Sequence, residues 1–278
     1  MYKFGFIGAG SMAEAIISGL INGNKCRREE IVVTNRSNEK RLEELQKTYG
    51  VTITKDKKHL FDNTKTIFFA MKPKDVDEAV KTVREYATEN HLVISMLAGV
   101  STKAIETLFN KRIPVIRAMP NTSATIRQSA TALAQGQYAT DGDLSAAVEL
   151  FQLIGTVEIV EEDKLDAVTG LAGSGPAYIY YIVEAMEKAA EEIGLEKSMA
   201  RSLIVQTLYG AALMLKTSDK EPSTLRKEIM SPGGTTEAGL SVLNNHHADE
   251  AIISCVKRAV ERSKELNSAL EEKLVNEQ

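Results

Sequence analysis

The sequence predicts an α/β protein in two parts, a parallel-sheet domain followed by an all-α domain. Three observations carry this expectation. Short apolar runs alternate with amphipathic stretches through the first half. A glycine-rich turn, Gly8-Ala9-Gly10-Ser11-Met12-Ala13, joins the first run to the first amphipathic stretch. After about Glu162 the short runs give way to long helical periodicity. Alternating strands and helices imply a parallel sheet with right-handed crossovers. The boundary is placed to give domains 1–161 and 162–278.

The elements follow in order. Strands are expected at 3–7, 31–34, 66–70, 92–95 and 115–118. They are rich in Ile, Val and Phe with little alternation, as in strands covered on both faces. Amphipathic stretches at 11–22, 38–49, 74–88 and 102–109 supply the intervening helices. Two further strands, 129–134 and 156–160, flank a helix at 141–154. In the second half, 177–193 carries Ile182, Ala185, Met186, Ala189 and Ile193 on one helical face. The stretch 199–215 is apolar almost all round, and a third helix runs from Ala248 towards the carboxyl terminus. A helix apolar on every side must be surrounded. A small helical domain has few interior positions, so 203–215 is expected to be buried under a second copy of the chain, in a dimer or a multiple of dimers.

Composition narrows the function. The chain has 278 residues, 43% hydrophobic and 26% charged, which excludes wholesale disorder. A net charge of −4 gives no reason to expect nucleic acid or an anionic membrane as partner. The uncharged run 203–215 falls short of the ~20 residues a membrane span needs. The apolar run 4–7 is too short for a secretory signal. Two cysteines, Cys26 and Cys255, have no CxxC spacing, and the four histidines lack metal-ligand spacing. A reduced, cytoplasmic protein without a metal is expected, with one long-range disulfide left open.

Gly8 to Ala13 fits G-x-G-x-x-A between a strand and a helix. Gly8 permits the tight turn, Gly10 admits a pyrophosphate to the backbone, and Ala13 allows close helix–strand packing. The helix amino terminus then offers N–H groups and partial positive charge to phosphate. This predicts a Rossmann-type dinucleotide site. Its second strand ends in Thr34-Asn35-Arg36-Ser37, a guanidinium where NAD sites usually carry an acid, which favours NADPH while leaving NADH possible. Ala70-Met71-Lys72-Pro73, Ser95 to Gly99, and Arg117 to Asn121 end later strands at the same sheet edge, where open α/β sheets bind ligands. Asn121 offers an amide to the nicotinamide side or to structure, and Arg117 is equally a buried ion-pair member.

Downstream, Ser231-Pro232-Gly233-Gly234-Thr235-Thr236 reads as an anion site. Pro232 stiffens the turn, Gly233 and Gly234 allow unusual dihedrals, and Thr235 or Thr236 can cap the helix that follows. Spare N–H groups at that helix start suit a small carboxylate. Gly173-Ser174-Gly175-Pro176 opens the long helix, with Pro at the first turn.

The segments GFIGAGSMA (5–13), AMKP (70–73), SMLAG (95–99), RAMPN (117–121), DAVTGLAGSGPAY (166–178) and SPGGTTEAGL (231–240) resemble pyrroline-5-carboxylate reductases. The resemblance runs from about residue 3 to 265. It implies a Rossmann domain and a helical dimerisation domain, and reduction of the imine of 1-pyrroline-5-carboxylate to L-proline with NAD(P)H, the last step of proline biosynthesis. It implies cofactor contacts at Ala9, Ser11, Met12, Asn35, Ser37, Ala70, Met71, Lys72, Pro73 and Ala98, and substrate contacts at Thr235, Thr236 and the acidic Glu162. Ser231, Gly233, Gly234 and Ser174 are further substrate candidates, with Thr236 and Thr235 as catalytic ones. The chain departs from some members in reading Lys57 where they carry Asn, and in lacking Asn just before Ser231. A β-hydroxyacid dehydrogenase shares the GFIGxGxM start but needs a lysine in 177–183, which has none. A non-catalytic NADP sensor is disfavoured by the intact 231–236 turn.

Overall fold

The computed structural model describes residues 1–276. Its elements are β1 (Tyr2–Ile7), α1 (Ser11–Asn22), β2 (Ile31–Thr34), α2 (Glu39–Tyr49), β3 (Thr52–Ile53), α3 (Lys57–Asp62), β4 (Thr64–Phe69), α4 (Val76–Lys81), β5 (Leu92–Ser95), α5 (Thr102–Phe109), β6 (Val115–Met119), β7 (Ser129–Gln135), α6 (Asp141–Phe151) and β8 (Gly155–Ile159). Helices α7 (Leu165–Val168), α8 (Gly175–Glu192), α9 (Lys197–Thr217), α10 (Pro222–Glu228), α11 (Thr235–Asn245) and α12 (Ala248–Asn276) complete it.

The strands form one sheet in the order β3-β2-β1-β4-β5-β6-β7-β8. Strands β1 to β6 are parallel, and the order reverses beside β1, which puts a ligand crevice at the carboxyl ends of β1 and β4. Strand β7 runs antiparallel to β6, and β8 parallel to β7. The parallel sheet expected from alternation is present from β1 to β6, and the antiparallel pairing enters only at that edge. The link from Met119 to Ser129 holds only a single-turn 3-10 helix, Thr122–Ile126, too short for a parallel crossover.

The unbroken apolar strands split by parity between two cores. Phe4, Phe6, Ile31, Val33, Phe68, Ile94 and Ile116 face α1, α2 and α6. Ile7, Val32, Ile67, Phe69, Val93 and Val115 face α3, α4 and α5. Phe6 and Phe68 stack across β1 and β4 with centroids 4.6 Å apart, which holds the two strands that carry the crevice. Helix ends follow local chemistry: the Asn38 side chain caps α2, Gly50 ends it at φ 71°, and Ser101 caps α5. The helix expected at 74–88 is shorter. It ends at Lys81, because the Thr82 hydroxyl donates to the Ala79 carbonyl and the chain tightens into three-residue turns at Val83 and Tyr86. Strand β3 and helices α3, α7 and α10 are too short to show periodicity in sequence.

Contacts divide the chain into two units, Met1–Pro176 with the chain from Arg258 onward, and Ala177–Lys257. In the first, the carboxyl-terminal part of α12 is bound to α7, where Ser263 Oγ donates to Asp166 at 2.7 Å. In the second, Ala190, Ala200 and Ile204 are buried, and Arg201 donates to Glu187 at 2.6 Å. Gly194, at φ 83°, turns the chain from α8 into α9. The segment 203–215, expected to be covered by a second copy, is exposed in the single chain. Leu203, Val205, Tyr209, Leu213, Met214 and Leu215 are each 44–63% exposed, because the unit has too few helices to enclose α9. Among the described residues no helix is long and apolar enough to cross a membrane, and both cysteines are free.

Candidate active site

A cavity of about 740 Å³ opens at the carboxyl ends of β1, β2 and β4. It is lined by Gly8, Ala9, Gly10, Ser11, Asn35, Arg36, Ser37, Ala70, Met71 and Lys72, all expected from the sequence. Gly8 sits at φ 111°, and a Cβ there would lie 2.4 Å from the Ala70 carbonyl carbon. Gly10 has open space beside it, with only the Ala70 oxygen at 3.9 Å. The first glycine is thus demanded by the turn, while the second leaves room for a ligand. The Thr34 hydroxyl is buried at the same strand ends with no partner among the described residues. This glycine cradle and orphaned hydroxyl fit the backbone-hugging diphosphate and hydroxyl-rich ribose of a dinucleotide. Gly8→Ala is expected to weaken dinucleotide binding by about 1–3 kcal/mol through strain at that positive φ, as read by fluorescence titration.

The loop is braced from α2. Arg41 Nε donates to the Ala9 carbonyl at 2.9 Å, and its guanidinium pairs with Glu14, to which Tyr49 also donates at 3.1 Å. Arg41 escaped the sequence reading because it looks like an ordinary polar residue of an amphipathic helix. Asn35 is occupied locally: its amide donates to the Asn38 carbonyl at 2.7 Å and accepts from the Asn38 N–H at 3.1 Å. Arg36 Nη1 lies 3.0 Å from Asp75 Oδ1 and 3.0 Å from Glu78 Oε2. Lys57 and Lys74 line the same cavity, Lys57 donating to Thr82 Oγ1 at 2.7 Å.

Four cofactor candidates lie off the lining. Met12, in the first turn of α1, packs against the core. Pro73 opens the turn Pro73–Asp75. Ala98 precedes Gly99, whose φ of 67° and closeness to Leu266 fix the loop after β5. Asn121 caps the turn Thr122–Ile126, its amide donating to Ala172 at 3.2 Å and accepting from Ser123 at 3.1 Å.

Glu162 is held at the start of α5. Both of its oxygens are engaged, accepting from the Thr102 N–H at 2.7 Å and the Thr102 hydroxyl at 2.6 Å, with Arg117 at 3.4 Å. It closes the amino terminus of α5 and partners a guanidinium that is 2% exposed. Arg117 also faces Asp166 at 3.5 Å. A buried guanidinium needs such partners, and Glu162 ties it to the start of α5. Ser174 donates its N–H to Thr169 at 2.9 Å, closing the π-turn Thr169–Gly173 before α8.

The Ser231–Thr236 turn lies in the second unit. Gly233 adopts φ 73°, and a Cβ on Gly234 would strike Ser231 Oγ at 2.4 Å. Helix α11 begins at Thr235 with Gly234 as its cap, so neither threonine caps it as expected. The Gly233 N–H donates to Glu237 Oε2 at 2.6 Å and the Gly234 N–H to the Ser231 carbonyl at 2.9 Å. These two glycine donors are spent, which leaves the first-turn N–H groups of Thr235, Thr236 and Glu237 pointing out of the helix start.

Comparison with known proteins places these features. A family profile described as NADP oxidoreductase, coenzyme F420-dependent, matches residues 3–99, and one described as pyrroline-5-carboxylate reductase dimerisation matches residues 162–266. The chain is therefore a nicotinamide-dependent oxidoreductase with a Rossmann-type sheet and a helical dimerisation domain. It is 50% identical to pyrroline-5-carboxylate reductase 2 of Bacillus subtilis over 96% of this chain and 95% of that protein. It is 38% identical to a pyrroline-5-carboxylate reductase of Synechocystis over 95% of this chain and 98% of that protein. Among solved structures, a pyrroline-5-carboxylate reductase from Coxiella burnetii shares 36% identity at TM-score 0.85, covering 95% of this chain and 98% of that one. A pyrroline carboxylate reductase from Plasmodium falciparum with NADP bound shares 25% identity at TM-score 0.88, covering 96% and 98%. The chain belongs to the pyrroline-5-carboxylate reductase family.

Proposed function

We infer that this protein reduces the carbon–nitrogen double bond of 1-pyrroline-5-carboxylate to give L-proline, using NADPH in preference to NADH. The carrying observation is the 50% identity over nearly the whole of both chains to a reductase of that name, spanning both the Gly8–Ala13 loop and the Ser231–Thr236 turn. The bound nicotinamide supplies the hydride to the imine carbon. The remaining tasks belong to the protein. Gly8 to Ser11 hold the diphosphate on backbone N–H groups at the start of α1. The first-turn N–H groups of Thr235, Thr236 and Glu237 take the substrate carboxylate, and the Thr236 hydroxyl bonds the ring nitrogen. A ring nitrogen already protonated in solution needs only this partner, not a strong acid. Holding two reactants in register supplies on the order of 7–11 kcal/mol of barrier lowering. Exposed apolar residues along α8 and α9 are covered by a second copy, so the working unit is a dimer or a multiple of dimers. Two free cysteines and a pyridine-nucleotide cofactor suit the cytoplasm.

The test is spectrophotometric: NADPH oxidation with 1-pyrroline-5-carboxylate, run beside hydroxy acids with NADP⁺. Turnover of hydroxy acids and none of the imine overturns the reading. For cofactor choice, Arg36→Ala is expected to raise the NADPH KM about tenfold and the NADH KM little. A charge-assisted hydrogen bond contributes about 1.5–3 kcal/mol, and the lower end applies because Arg36 already has anionic partners in the free enzyme. Equal effects on both cofactors count against NADPH preference.

A further inference from the structure

Arg36 leaves the end of β2 on one wall of the dinucleotide cavity. Asp75 and Glu78 stand on the opposite wall, at the turn after β4 and the first turn of α4. The guanidinium crosses between them, with Nη1 3.0 Å from each carboxylate. A guanidinium Nη carries two hydrogens, so both of those at Nη1 are committed. We propose that Asp75 and Glu78 set the NADPH-to-NADH ratio of this enzyme by competing with the cofactor's 2′-phosphate for Arg36. This rests on the reading of Arg36 as the 2′-phosphate contact.

The physical case runs through charge. A ribose 2′-phosphate carries between one and two negative charges near neutral pH and is a stronger, bidentate partner for a guanidinium than a single carboxylate. The donors at Nη2 and Nε can take the phosphate, but the two carboxylates at Nη1 already share the guanidinium's charge and would face that phosphate across a few ångströms. A 2′-hydroxyl makes no such demand, and the bridge stays closed over an NADH adenosine. The two acids are not equivalent. The Glu78 side chain is 67% exposed and swings away into water, whereas that of Asp75 is 25% exposed and stays beside the bridge. Asp75 therefore carries the larger share. Lys57 and Lys74 on the same lining partly offset the repulsion. Asp75 makes no side-chain cap to α4, so its replacement by Asn removes charge without removing a helix cap.

Calorimetric titration of the full chain with 2′,5′-ADP and with 5′-ADP separates the phosphate from the rest of the adenosine. Binding of 5′-ADP also reports that each variant is folded at this site. The double variant Asp75→Asn, Glu78→Gln is expected to raise the preference for 2′,5′-ADP over 5′-ADP by about three- to tenfold, the scale of two exposed ion pairs. Asp75→Asn alone is expected to give most of that gain. An unchanged or reduced preference overturns the competition, as does equal tightening of both probes, which would mark a general charge effect. Arg36→Ala, titrated in parallel, tells the two failures apart. If it lowers the preference while the double variant leaves it unchanged, only the competition fails. If it leaves the preference unchanged, the phosphate role of Arg36 fails, and the competition with it.

Discussion

Tyr209→Glu is expected to yield a folded but inactive monomer. Val205, Tyr209 and Leu213 stand in an i, i+4, i+8 row on α9, exposed by 55%, 63% and 44% in a single chain. Such a row of large apolar groups is what a partner helix covers. Within one chain the substituted carboxylate remains in water and costs the fold little. Across a two-fold interface it appears twice and is buried twice, and each unpaired buried ion costs several kcal/mol. That is enough to dissociate the dimer at any ordinary concentration. Sedimentation at micromolar protein should give the monomer mass, with turnover of 1-pyrroline-5-carboxylate lost. The unsubstituted protein should show a Tm that rises with protomer concentration. A Tyr209→Glu protein that sediments as a dimer and keeps full turnover would show that α9 is not the interface.

Thr236→Val is expected to lower kcat/KM for 1-pyrroline-5-carboxylate by about 1–3 kcal/mol, the scale of a lost hydrogen bond in the transition state. The substitution keeps the side-chain shape and removes only the hydroxyl. Thr236 is half-buried at the second position of α11, whereas Thr235 beside it is exposed. The backbone N–H groups proposed to take the carboxylate are untouched, so the loss should fall on kcat more than on KM. NADPH affinity should hold, since Gly8 to Ser11 and Thr236 belong to different units of the chain. Full activity in Thr236→Val would leave the hydroxyl without a role and keep only the backbone part of the site.

The strands and the dinucleotide turn were legible from sequence because their causes are local. Gly8 must turn the chain at positive φ, and the run Ile31-Val32-Val33 is apolar at every position because both faces of its strand are covered. The glycine turn at Ser231–Thr236 was legible for the same reason, but its details were not. Which residue caps α11, and which N–H groups remain, depends on Glu237 folding back onto Gly233. The family resemblance gave Glu162 as a substrate contact, and residue type left Asn121 between ligand and structure. Only the folded chain shows their partners Ala172, Ser123, Thr102 and Arg117.

What the sequence determined alone is the period of each element, the glycines a turn or a phosphate requires, and the family. The tertiary structure decided which charged groups are already paired. Arg36 meets Asp75 and Glu78 from 39 and 42 positions away, and Glu162 meets Thr102 from 60. Arg41 holds Ala9 across 32. Periodicity and turn chemistry act within a few residues, so they fix the elements. Electrostatic pairing falls off over ångströms in space and is blind to sequence separation, so only the folded chain shows where each charge finds its partner.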